Sequence, residues 1–571
     1  MILRQEKRDF WYIVVYSTMI SLLGLVVPLS SQAIVNTVAL GVFNSQLVIL
    51  CAVVLVALVV LAVFTVLERY VIDLIQRRLF IRTASEFVRR LPMIRHDAWT
   101  STYAPELVNR FFDVMTIQKS VGKLLMDGVN SILVLGTGLL LLGFYHPFFI
   151  LYDIIFLLFI PILVFVLGRG AIPTALRVSQ KKYDAAAWIE DVARNQIATK
   201  ITVSEEYDLQ RMDQINDQYV LAKHDHYIVI ARQILGSYIF KAIATVGILG
   251  LGGILVIDQR ISLGQLVAAE IVIILIIGAF EKLLAQFEVF YDLIAAVNKV
   301  SAVMEQPLER EGGLSVDPMP NGAFLSLRNI NVSVTERTIL DGLSIEIPSG
   351  ARIALVGKSG AGKSTLLHLI CGLEEPTKGV IRFNHVDIRE ADLKSLRKQI
   401  GLVFPEDQII TASVRDNILL GRSVPAEQFR WACRLLHLDR DVEVLPQGYA
   451  TLLSPGAESI AFGLRRRILF ARMIVERPNL LLLDEAFEGI EDNMKLTMLD
   501  DLFAEKSWTI VCVSHDPEIV RRVDSVFLIE DGKITESGSP STLVTSRAPG
   551  FCKLFPEATR FLPNSSWGGP E

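Results

Sequence analysis

The apolar positions of this chain follow one pattern in its first half and another in its second half. The first half contains six long runs in which most residues are apolar. These runs cover residues 11–40, 47–71, 120–143, 147–168, 232–256 and 264–287. Because about 20 apolar residues are needed to cross a hydrocarbon core of roughly 30 Å, each run is long enough to span a membrane. Buried core helices are the alternative, but six such runs within half a chain favour an α-helical polytopic membrane domain.

From Leu325 onward the apolar runs shorten to strand length, and glycine and charged residues return. Short apolar strands that alternate with helical segments are typical of an α/β domain. A stretch rich in proline and glycine, "QPLEREGGLSVDPMPNG", separates the two patterns. We therefore predict a membrane domain with six spans and cytoplasmic helices over residues 1–305, a linker over residues 306–324 and a soluble domain over residues 325–571.

The positions of lysine and arginine predict how the spans are oriented. Arg4, Lys7 and Arg8 precede the first span, and the loops after the second and fourth spans contain "QRRLFIRTASEFVRRLPMIR" and "RVSQKKYD". The other loops, "GVFNSQ", "GFYHP" and "IDQR", carry almost no positive charge. Since cytoplasmic loops are enriched in Lys and Arg, we expect both termini to face the cytoplasm.

Charge and cysteine spacing give no indication of a nucleic-acid partner or of a cysteine metal site. The net charge of −5 gives no electrostatic case for a nucleic-acid partner. The five cysteines lie far apart, with neither a CxxC pair nor the spacing of a metal site. We interpret them as reduced packing residues.

The clearest motif in the chain is "ARIALVGKSGAGKSTLLHLI", in which an apolar strand runs into a glycine-rich loop and then a helix. Glycines allow successive backbone N–H groups to point at phosphate oxygens, and the N-terminus of the helix favours an anion. Lys363 can reach the β- and γ-phosphates, and the Ser364 hydroxyl can bind Mg²⁺. The motif predicts an ATP site with Mg²⁺, formed by Gly357, Ser359, Gly360, Ala361, Gly362, Lys363, Ser364 and Thr365.

Two more apolar strands end on residues that suit phosphate chemistry. The segment "NLLLLDEAF" ends on Asp484 and Glu485, of which the first can hold Mg²⁺ and the second can orient or deprotonate a water molecule. The segment "TIVCVSHD" brings His515 to the end of another strand. A lone histidine is usually structural, but one in this position is expected to contact the γ-phosphate. We predict that Glu485 and His515 are catalytic.

Together with the six spans, these motifs resemble those of the ATP-binding cassette (ABC) exporter family. The resemblance covers nearly the whole chain and includes "APELVNRFFDVMTIQ", which is similar to the first cytoplasmic coupling segment, "LPQGYAT" and "LIEDGKITESGSPSTL". It implies a half-transporter, in which a six-helix membrane domain is fused to a P-loop NTPase domain and two such chains work as a dimer. The segments "VPLSSQAIVNTVALG" and "ISLGQLVAAEI" look most like bacterial secretion-type exporters, which implies an inner-membrane location.

The chain departs from the family in the signature motif, Leu-Ser-Gly-Gly-Gln, which aligns without a gap on Ile460, Ala461, Phe462, Gly463 and Leu464. In the family this turn clamps the γ-phosphate of ATP on the other subunit. Ala461 lacks the hydroxyl and Phe462 obstructs close approach of the backbone. A charge-assisted hydrogen bond contributes roughly 1.5–3 kcal/mol, so its loss would weaken the closed state by about one to two orders of magnitude.

Two other segments that act across the family's dimer are also altered. The glutamate before the signature falls on Pro455, and the family's Ser-Ala-Leu-Asp is Glu-Gly-Ile-Glu at residues 488–491. The chain keeps all the phosphate-binding and catalytic residues of its own ATP site, but it presents a poor signature to the ATP of its neighbour. This combination is best explained if the neighbour is a different chain. The resemblance therefore favours a heterodimer over a homodimer, with low ATPase activity of this chain alone.

Two departures concern the chain's own nucleotide site. The family's glutamine that binds Mg²⁺ is Glu406, whose carboxylate can still bind the ion but adds negative charge. The aromatic residue that stacks on adenine falls on Val334. Weaker nucleotide binding and relaxed base selectivity follow from these two changes.

Two carboxylates lie within the predicted spans. Ionisable groups are rare there and usually face a cavity or a partner. Asp153 and Glu270 could line a transport path, or they could be ordinary carboxylates between helices or near the interface, and the sequence leaves both interpretations open.

The resemblance implies an ATP-driven exporter subunit that moves a protein or peptide outward in a type I secretion-like system. A periplasmic adaptor and an outer-membrane channel would then be partners, besides membrane lipids and the substrate. A lipid or drug is the alternative cargo. An ABC-shaped regulatory or sensor subunit that transports nothing is the alternative function, favoured by the altered signature and disfavoured by Glu485 and His515.

Overall fold

A computed structural model of the chain describes residues 6–39, 44–101, 109–202, 205–334, 337–405, 407–454 and 460–556. The chain folds as two compact units. The first comprises Met1–Ile94 and Ala98–Leu308, and the second comprises Arg95–Asp97 and Glu309–Glu571.

The first unit is built from helices, several of them much longer than a membrane is thick. They are α1 (Lys7–Gly24), α2 (Val26–Ala39), α3 (Asn44–Arg90), α4 (His96–Ser101), α5 (Asp113–Lys123), α6 (Val129–Tyr145), α7 (Pro147–Pro161), α8 (Ala171–Arg194), α9 (Gln196–Thr202), α10 (Glu205–Ile257) and α11 (Leu263–Met304). The first two residues of α4, His96 and Asp97, belong to the second unit. The wider π-helical turns Leu124–Gly128 and Ile162–Leu167 follow α5 and α7.

Six helical stretches among the described residues are long and apolar enough to cross a membrane, which confirms the six predicted spans. They are Lys7–Thr37, Leu47–Met93, Arg110–Tyr145, Pro147–Leu167, Glu205–Ile257 and Leu263–Met304. The chain is therefore a multi-pass membrane protein. Three of these stretches exceed 40 residues, which at 1.5 Å per residue is about twice the roughly 30 Å of a hydrocarbon core, so they extend well beyond it.

The carboxylates within the spans have different surroundings. Asp153 is 9% exposed and its Oδ1 atom has no hydrogen-bond partner among the described residues, whereas Glu270 is exposed. The most buried carboxylate, Glu68, was not singled out from the sequence; it is 1% exposed and accepts a hydrogen bond from Ser17. Because an unpartnered ionised carboxylate is unfavourable in an apolar interior, this bond explains how Glu68 is accommodated.

The second unit is an α/β domain with two main sheets. Its strands are β1 (Leu325–Val334), β2 (Arg337–Ile347), β3 (Arg352–Val356), β4 (Lys378–Phe383), β5 (Val386–Asp387), β6 (Ile400–Val403), β7 (Ala412–Ser413), β8 (Leu452–Leu453), β9 (Leu480–Asp484), β10 (Thr509–Val513), β11 (Ser525–Glu530) and β12 (Lys533–Gly538). Its helices are α12 (Lys363–Ile370), α13 (Leu393–Lys398), α14 (Val414–Leu419), α15 (Ala426–Leu435), α16 (Asp439–Glu443), α17 (Phe462–Ile474), α18 (Asp492–Ala504), α19 (Pro517–Val520), α20 (Pro540–Thr545) and α21 (Pro549–Leu554).

The larger sheet has the strand order β12-β11-β3-β10-β9-β6, and all its pairings are parallel except that of β11 with β12. The smaller sheet is antiparallel, in the order β2-β1-β4-β5. Every residue of β9 and β10 is buried, because helices or strands cover both faces of a parallel sheet. The carboxyl ends of β3, β9 and β10 therefore lie side by side, where ligands of such sheets bind.

Candidate functional site

The loop after β3 has the backbone that its glycines predict. Gly357, Gly360 and Gly362 have φ angles of 147°, 80° and 96°, which are unfavourable for other residues. A Cβ atom on Gly357 would lie 2.1 Å from the carbonyl oxygen of Ile529, and one on Gly362 would lie 2.7 Å from Leu340 Cδ2. The loop can therefore pass close to β11 and β2 and end directly at the first residue of α12.

Lys363, the first residue of α12, is 8% exposed, and its ammonium group lies over the loop. Its Nζ donates hydrogen bonds to the carbonyl oxygens of Gly357 (2.6 Å) and Lys358 (2.9 Å). Burial lowers the pKa of Lys363, while the carboxylates of Glu485 and Asp484 oppose this effect. The loop thus holds a positive charge next to two negative charges, in position for a phosphate chain.

Ser364 and Asp484 are brought together by α12 and β9. The Ser364 hydroxyl donates a hydrogen bond of 2.7 Å to Asp484 Oδ2. Hydroxyl and carboxylate oxygens are the protein ligands that Mg²⁺ prefers, and it usually binds through one or two carboxylates together with substrate phosphates. This pair of oxygens therefore fits Mg²⁺, and the glycine loop beside it fits the phosphates.

Glu485 follows β9 in a left-handed conformation, with φ of 43°. Its backbone N–H donates to the carbonyl oxygen of Val513, which ties the turn to the end of β10. Burial raises the pKa of the Glu485 carboxyl, and the adjacent Asp484 raises it further. A carboxyl group with a raised pKa in a cleft is suited to proton transfer.

His515 lies two residues beyond β10, at the same edge of the sheet, and its side chain is exposed. Partial burial of the imidazole lowers its pKa, and the Lys363 ammonium group lowers it further. A neutral imidazole near Lys363 can donate or accept a hydrogen bond at the outer phosphate.

A cavity of about 1080 Å³ lies over this edge of the sheet, large enough for a nucleotide triphosphate. Most residues predicted for the site line it, namely Ser359, Gly360, Gly362, Lys363, Ser364, Thr365, Asp484, Glu485 and His515. Gly357 and Ala361 lie in the loop beneath. Glu406 and Pro455 are outside the described residues.

The sequence interpretation missed a link between α17 and this cavity. Arg466 is 3% exposed and donates to the carbonyl oxygens of Phe404 (2.6 Å) and Glu485 (3.3 Å). The backbone N–H of Phe404 in turn donates to Asp407 Oδ2 at 2.9 Å, and both residues line the cavity. The arginine itself is visible in the sequence of α17. Its burial and its partners are not, because the partners are distant in sequence.

The residues aligned with the signature form the start of α17 and, among the described residues, none of them lines the cavity. Ala461 is the N-cap residue and offers no side-chain hydrogen bond to the helix. Leu464 is buried, while Ala461 and Phe462 are exposed. This surface is therefore available to another molecule and does not serve the chain's own cavity.

Phe462 packs against Gly489, one of the altered residues of the 488–491 segment. Gly489 has a φ angle of 75°, and a Cβ atom there would lie 2.2 Å from Phe462 Cε1. On the other side, the Arg465 guanidinium lies 4.7 Å from the centre of the Phe462 ring. Two departures from the family pattern thus fit each other, because the glycine makes room for the aromatic ring.

Val334 ends β1 and is 56% exposed. The residues that follow, 335 and 336, are outside the described part of the chain. Arg337, Thr338 and Ile339 line the cavity from the start of β2. The structure therefore offers no aromatic side chain from β1 or β2 to this cavity among the described residues.

A six-helix membrane unit followed by an α/β domain with a P-loop is the arrangement typical of ABC exporters. The comparisons with known proteins agree. Residues 340–488 match the family model described as "ABC transporter". The second unit therefore contains an ABC-type ATPase domain, which implies ATP binding.

Similar proteins extend the likeness to the membrane unit. A lactococcin transport/processing ATP-binding protein of Lactococcus lactis is 24% identical over 555 residues, which cover 95% of this chain and 76% of that protein. A mycobactin import ATP-binding/permease protein of Mycolicibacterium thermoresistibile is 28% identical over 328 residues, which cover 56% of this chain and 56% of that protein.

Among solved structures, that of a bacterial Atm1-family ABC exporter with ATP bound superposes with a TM-score of 0.84. The match covers 99% of both chains at 19% identity, a level that shows the fold alone. The fold is that of an ABC exporter, and the predicted fold class, a six-helix membrane domain with a P-loop domain, is confirmed.

Proposed function

We propose that this chain is one half of an ATP-driven exporter that moves a peptide or small protein outward across a bacterial inner membrane. The observation that carries the proposal is the convergence of Lys363, the Ser364–Asp484 pair, Glu485 and His515 at one edge of the sheet, in a chain that also has six candidate membrane spans. The likeness to a lactococcin transport/processing protein over 95% of the chain supports a peptide as the cargo.

In the proposed mechanism, the residues of the loop after β3 bind the phosphates of ATP. Lys363 exchanges its bonds to the carbonyl oxygens of Gly357 and Lys358 for bonds to phosphate oxygens. Ser364 and Asp484 would hold Mg²⁺, together with Glu406, and the ion supplies neutralisation of the phosphate charge when bound. The assignment of Ser364 and Asp484 rests on their hydrogen bond, which brings two oxygen ligands together at the start of α12 and the end of β9. That of Glu406 rests on the sequence alone.

Glu485 orients the attacking water and accepts its proton, and His515 contacts the γ-phosphate. The raised pKa of Glu485, caused by burial first and Asp484 second, makes this carboxylate more basic than an exposed one. The tie from Arg466 to the Glu485 carbonyl oxygen holds the backbone of this turn in place.

We further propose that the partner is a different half-transporter. Ala461 offers no hydroxyl to a neighbour's phosphate, and Phe462 with Arg465 forms the exposed surface in its place. A partner with an intact signature would complete the ATP site of this chain, while its own ATP would lie under a poor signature. Residues 306–324 would be the linker between the domains, and both termini would lie in the cytoplasm.

Two other functions remain as candidates. A regulatory subunit that binds ATP without transport is favoured by the changes at residues 460–464. Inward transport is favoured by the similarity to a protein whose name includes mycobactin import. A peptide exporter would also require an adaptor and an outer-membrane channel in a host with two membranes, and a lipid or drug exporter would not.

The test compares wild type with Glu485→Gln in the source organism and as purified protein in lipid nanodiscs with its co-purified partner. We expect the purified variant to bind ATP but not to hydrolyse it. In the culture medium of the variant strain, a peptide that the wild-type strain exports should be missing, as measured by mass spectrometry. Glu427→Gln is the matched control, because Glu427 is an exposed carboxylate on α15, outside the residues assigned to the site. Loss of turnover with unchanged exported peptides would reject the peptide exporter, and unchanged cellular function would support the regulatory role.

A further inference from the structure

At one side of the cavity, three side chains that suit a metal ion meet in the second unit, and two of them, His96 and His368, line the cavity. The three are His96, in the segment Arg95–Asp97, His368 on α12, and Glu374, which follows that helix. We propose that His96, His368 and Glu374 form a binding site for a transition-metal dication of the Zn²⁺ type, and that the bound ion lowers ATP turnover.

The geometry of these three side chains is close to that of a metal site. Glu374 Oε1 lies 3.1 Å from His368 Nδ1 and 4.0 Å from His96 Nε2, and the three ligand atoms all lie within 4.8 Å of one another. Bonds of about 2.0–2.2 Å in a tetrahedral arrangement place ligand atoms roughly 3.3 Å apart. Side-chain movements of about 1 Å or less would therefore complete three bonds to one ion.

The ligand set selects the class of ion. Two imidazole nitrogens and one carboxylate oxygen are typical of Zn²⁺ and similar transition metals, whereas Mg²⁺ and Ca²⁺ prefer oxygen ligands. Three protein ligands leave a fourth tetrahedral position for water. All three residues are partly buried, with side-chain exposures of 31% for His96, 22% for His368 and 26% for Glu374, so an ion can still enter.

An ordinary hydrogen-bonded pair of His368 and Glu374 is the simpler interpretation. The same unit contains such a pair elsewhere, because His437 Nε2 lies 2.9 Å from Asp501 Oδ2. Among the described residues, no third ligand joins that pair, whereas His96 joins His368 and Glu374. The rings of His96 and His368 meet edge to face, with centroids 4.8 Å apart. A hydrogen-bonded pair requires only one imidazole beside the carboxylate, so the second imidazole favours a metal site.

The position of His368 connects the ion to ATP turnover, and this step rests on the proposed function. His368 lies on α12, whose first two residues are Lys363 and Ser364. Its ring also contacts that of Phe404, with centroids 5.1 Å apart, and the Phe404 carbonyl accepts from Arg466. A metal bound to His96 and His368 would restrain α12 and Phe404, which both border the cavity.

The first experiment measures Zn²⁺ binding to the full chain in nanodiscs by calorimetry, without nucleotide or Mg²⁺. We expect one equivalent to bind to the wild type, and His96→Ala and Glu374→Gln each to weaken binding by at least about tenfold. His437→Ala is the matched control and should leave the isotherm unchanged. Equal isotherms for wild type and His96→Ala, or equal losses in His437→Ala, would overturn the proposal.

A second variant guards against a misfolded His96→Ala protein. His96→Cys replaces one ligand by another, so it should retain binding and add a thiolate charge-transfer band in the Co²⁺-loaded protein. A His96→Cys protein without that band, in a preparation that binds ATP, would also count against the site.

The effect on turnover is measured as the ratio of ATPase rates with and without Zn²⁺ for each variant in the active assembly. We expect Zn²⁺ to lower the wild-type rate and to leave the ratio near one in Glu374→Gln. If Zn²⁺ binds but does not lower the ATPase rate, the proposed inhibition is wrong and the proposed metal site stands. Because calorimetry needs no ATP hydrolysis, failure of the exporter proposal would not affect the binding result.

Discussion

At the scale of single residues, Arg466 links α17 to two segments that border the candidate ATP site. It is 3% exposed and donates to the carbonyl oxygens of Phe404 and Glu485. We regard it as a positioning residue, since it reaches the backbone of Glu485 and would act through it. Each carbonyl oxygen also accepts from a backbone N–H, that of Phe404 from Asp407 at 3.4 Å and that of Glu485 from Glu488 at 3.2 Å. Loss of Arg466 would therefore remove the charged donor that joins the two segments and leave each with a local neutral donor.

Arg466→Gln is therefore expected to lower kcat by about tenfold to one hundredfold with a smaller change in KM, because hydrogen bonds from charged groups contribute about 1.5–3 kcal/mol. The measurement is steady-state ATPase activity of the active assembly. Arg430→Gln, at an exposed arginine of the same unit, should change neither constant. An equal rise in KM with kcat unchanged would show that Arg466 acts on binding and not on the position of Glu485.

Glu485 also predicts how stability depends on pH. Burial raises its pKa from 4.5, Asp484 raises it further and Lys363 opposes both. A carboxyl group whose pKa is raised by folding contributes stability that is complete below the unfolded pKa and is lost as the pH rises through the folded pKa. The charged Glu485 thus destabilises the native state at neutral pH.

We expect Glu485→Gln to raise the Tm of the ATPase domain at pH 7 and the gain to shrink as the pH falls toward 4.5. Thermal unfolding of wild type and variant over this pH range is the measurement. Glu427→Gln, at an exposed carboxylate on α15 that is not among the charges acting on Glu485, is the control and should give no such gain. A gain of the same size at every pH would assign the effect to packing and not to charge.

At the scale of elements, the start of α17 and the turn at Gly489 form one packed feature. Phe462 occupies the space that a side chain at residue 489 would need, and Gly489 adopts a φ angle of 75°. Left-handed conformations disfavour other residues by roughly 1–2 kcal/mol. Two penalties therefore apply to a substitution at Gly489, one from its backbone and one from Phe462.

Gly489→Ala should lower the free energy of unfolding by more than Gly421→Ala does. Gly421 has the same φ angle of 75°, but a Cβ atom there would meet nothing within 4 Å. In the Phe462→Ala background the two glycine substitutions should have similar effects of about 1–2 kcal/mol. Denaturant unfolding of the four variants measures this coupling. Equal effects of the two glycine substitutions in the wild-type background would disprove the contact.

At the scale of the whole molecule, the proposed heterodimer predicts that residues 460–464 limit ATP hydrolysis by this chain alone. The double variant Ala461→Ser with Phe462→Gly restores the hydroxyl and the close backbone approach of the family. We expect it to raise the ATPase rate of this chain alone by at least about tenfold, since one charge-assisted hydrogen bond to phosphate contributes roughly 1.5–3 kcal/mol.

The rate is measured for the purified chain in nanodiscs, and Glu485→Gln added to the double variant should abolish it. A wild-type chain that already turns over ATP rapidly would argue for a homodimer that tolerates Phe462. A double variant without a gain, in protein that binds ATP, would show that the signature is not what limits this chain.

The six spans and the P-loop domain were predictable because each depends on neighbouring residues. A run of apolar residues crosses a membrane by its length, and the loop from Gly357 to Gly362 lies between one strand and one helix. The meeting of Asp484 and His515 with the loop was predictable as well. Parallel strands place their carboxyl ends at one edge, so residues distant in sequence converge by topology alone.

Some contacts join residues that no sequence pattern relates, and only the tertiary structure determined them. The packing of Phe462 on Gly489, the reach of Arg466 to Phe404 and the convergence of His96 with His368 each depend on side-chain size and direction. Local periodicity carries no information about such contacts, because they form between surfaces that meet only after the strands and helices have packed. The sequence by itself therefore determined the class of the protein and the chemistry at its strand ends, whereas folding decided how the altered signature is supported and where a second ion could bind.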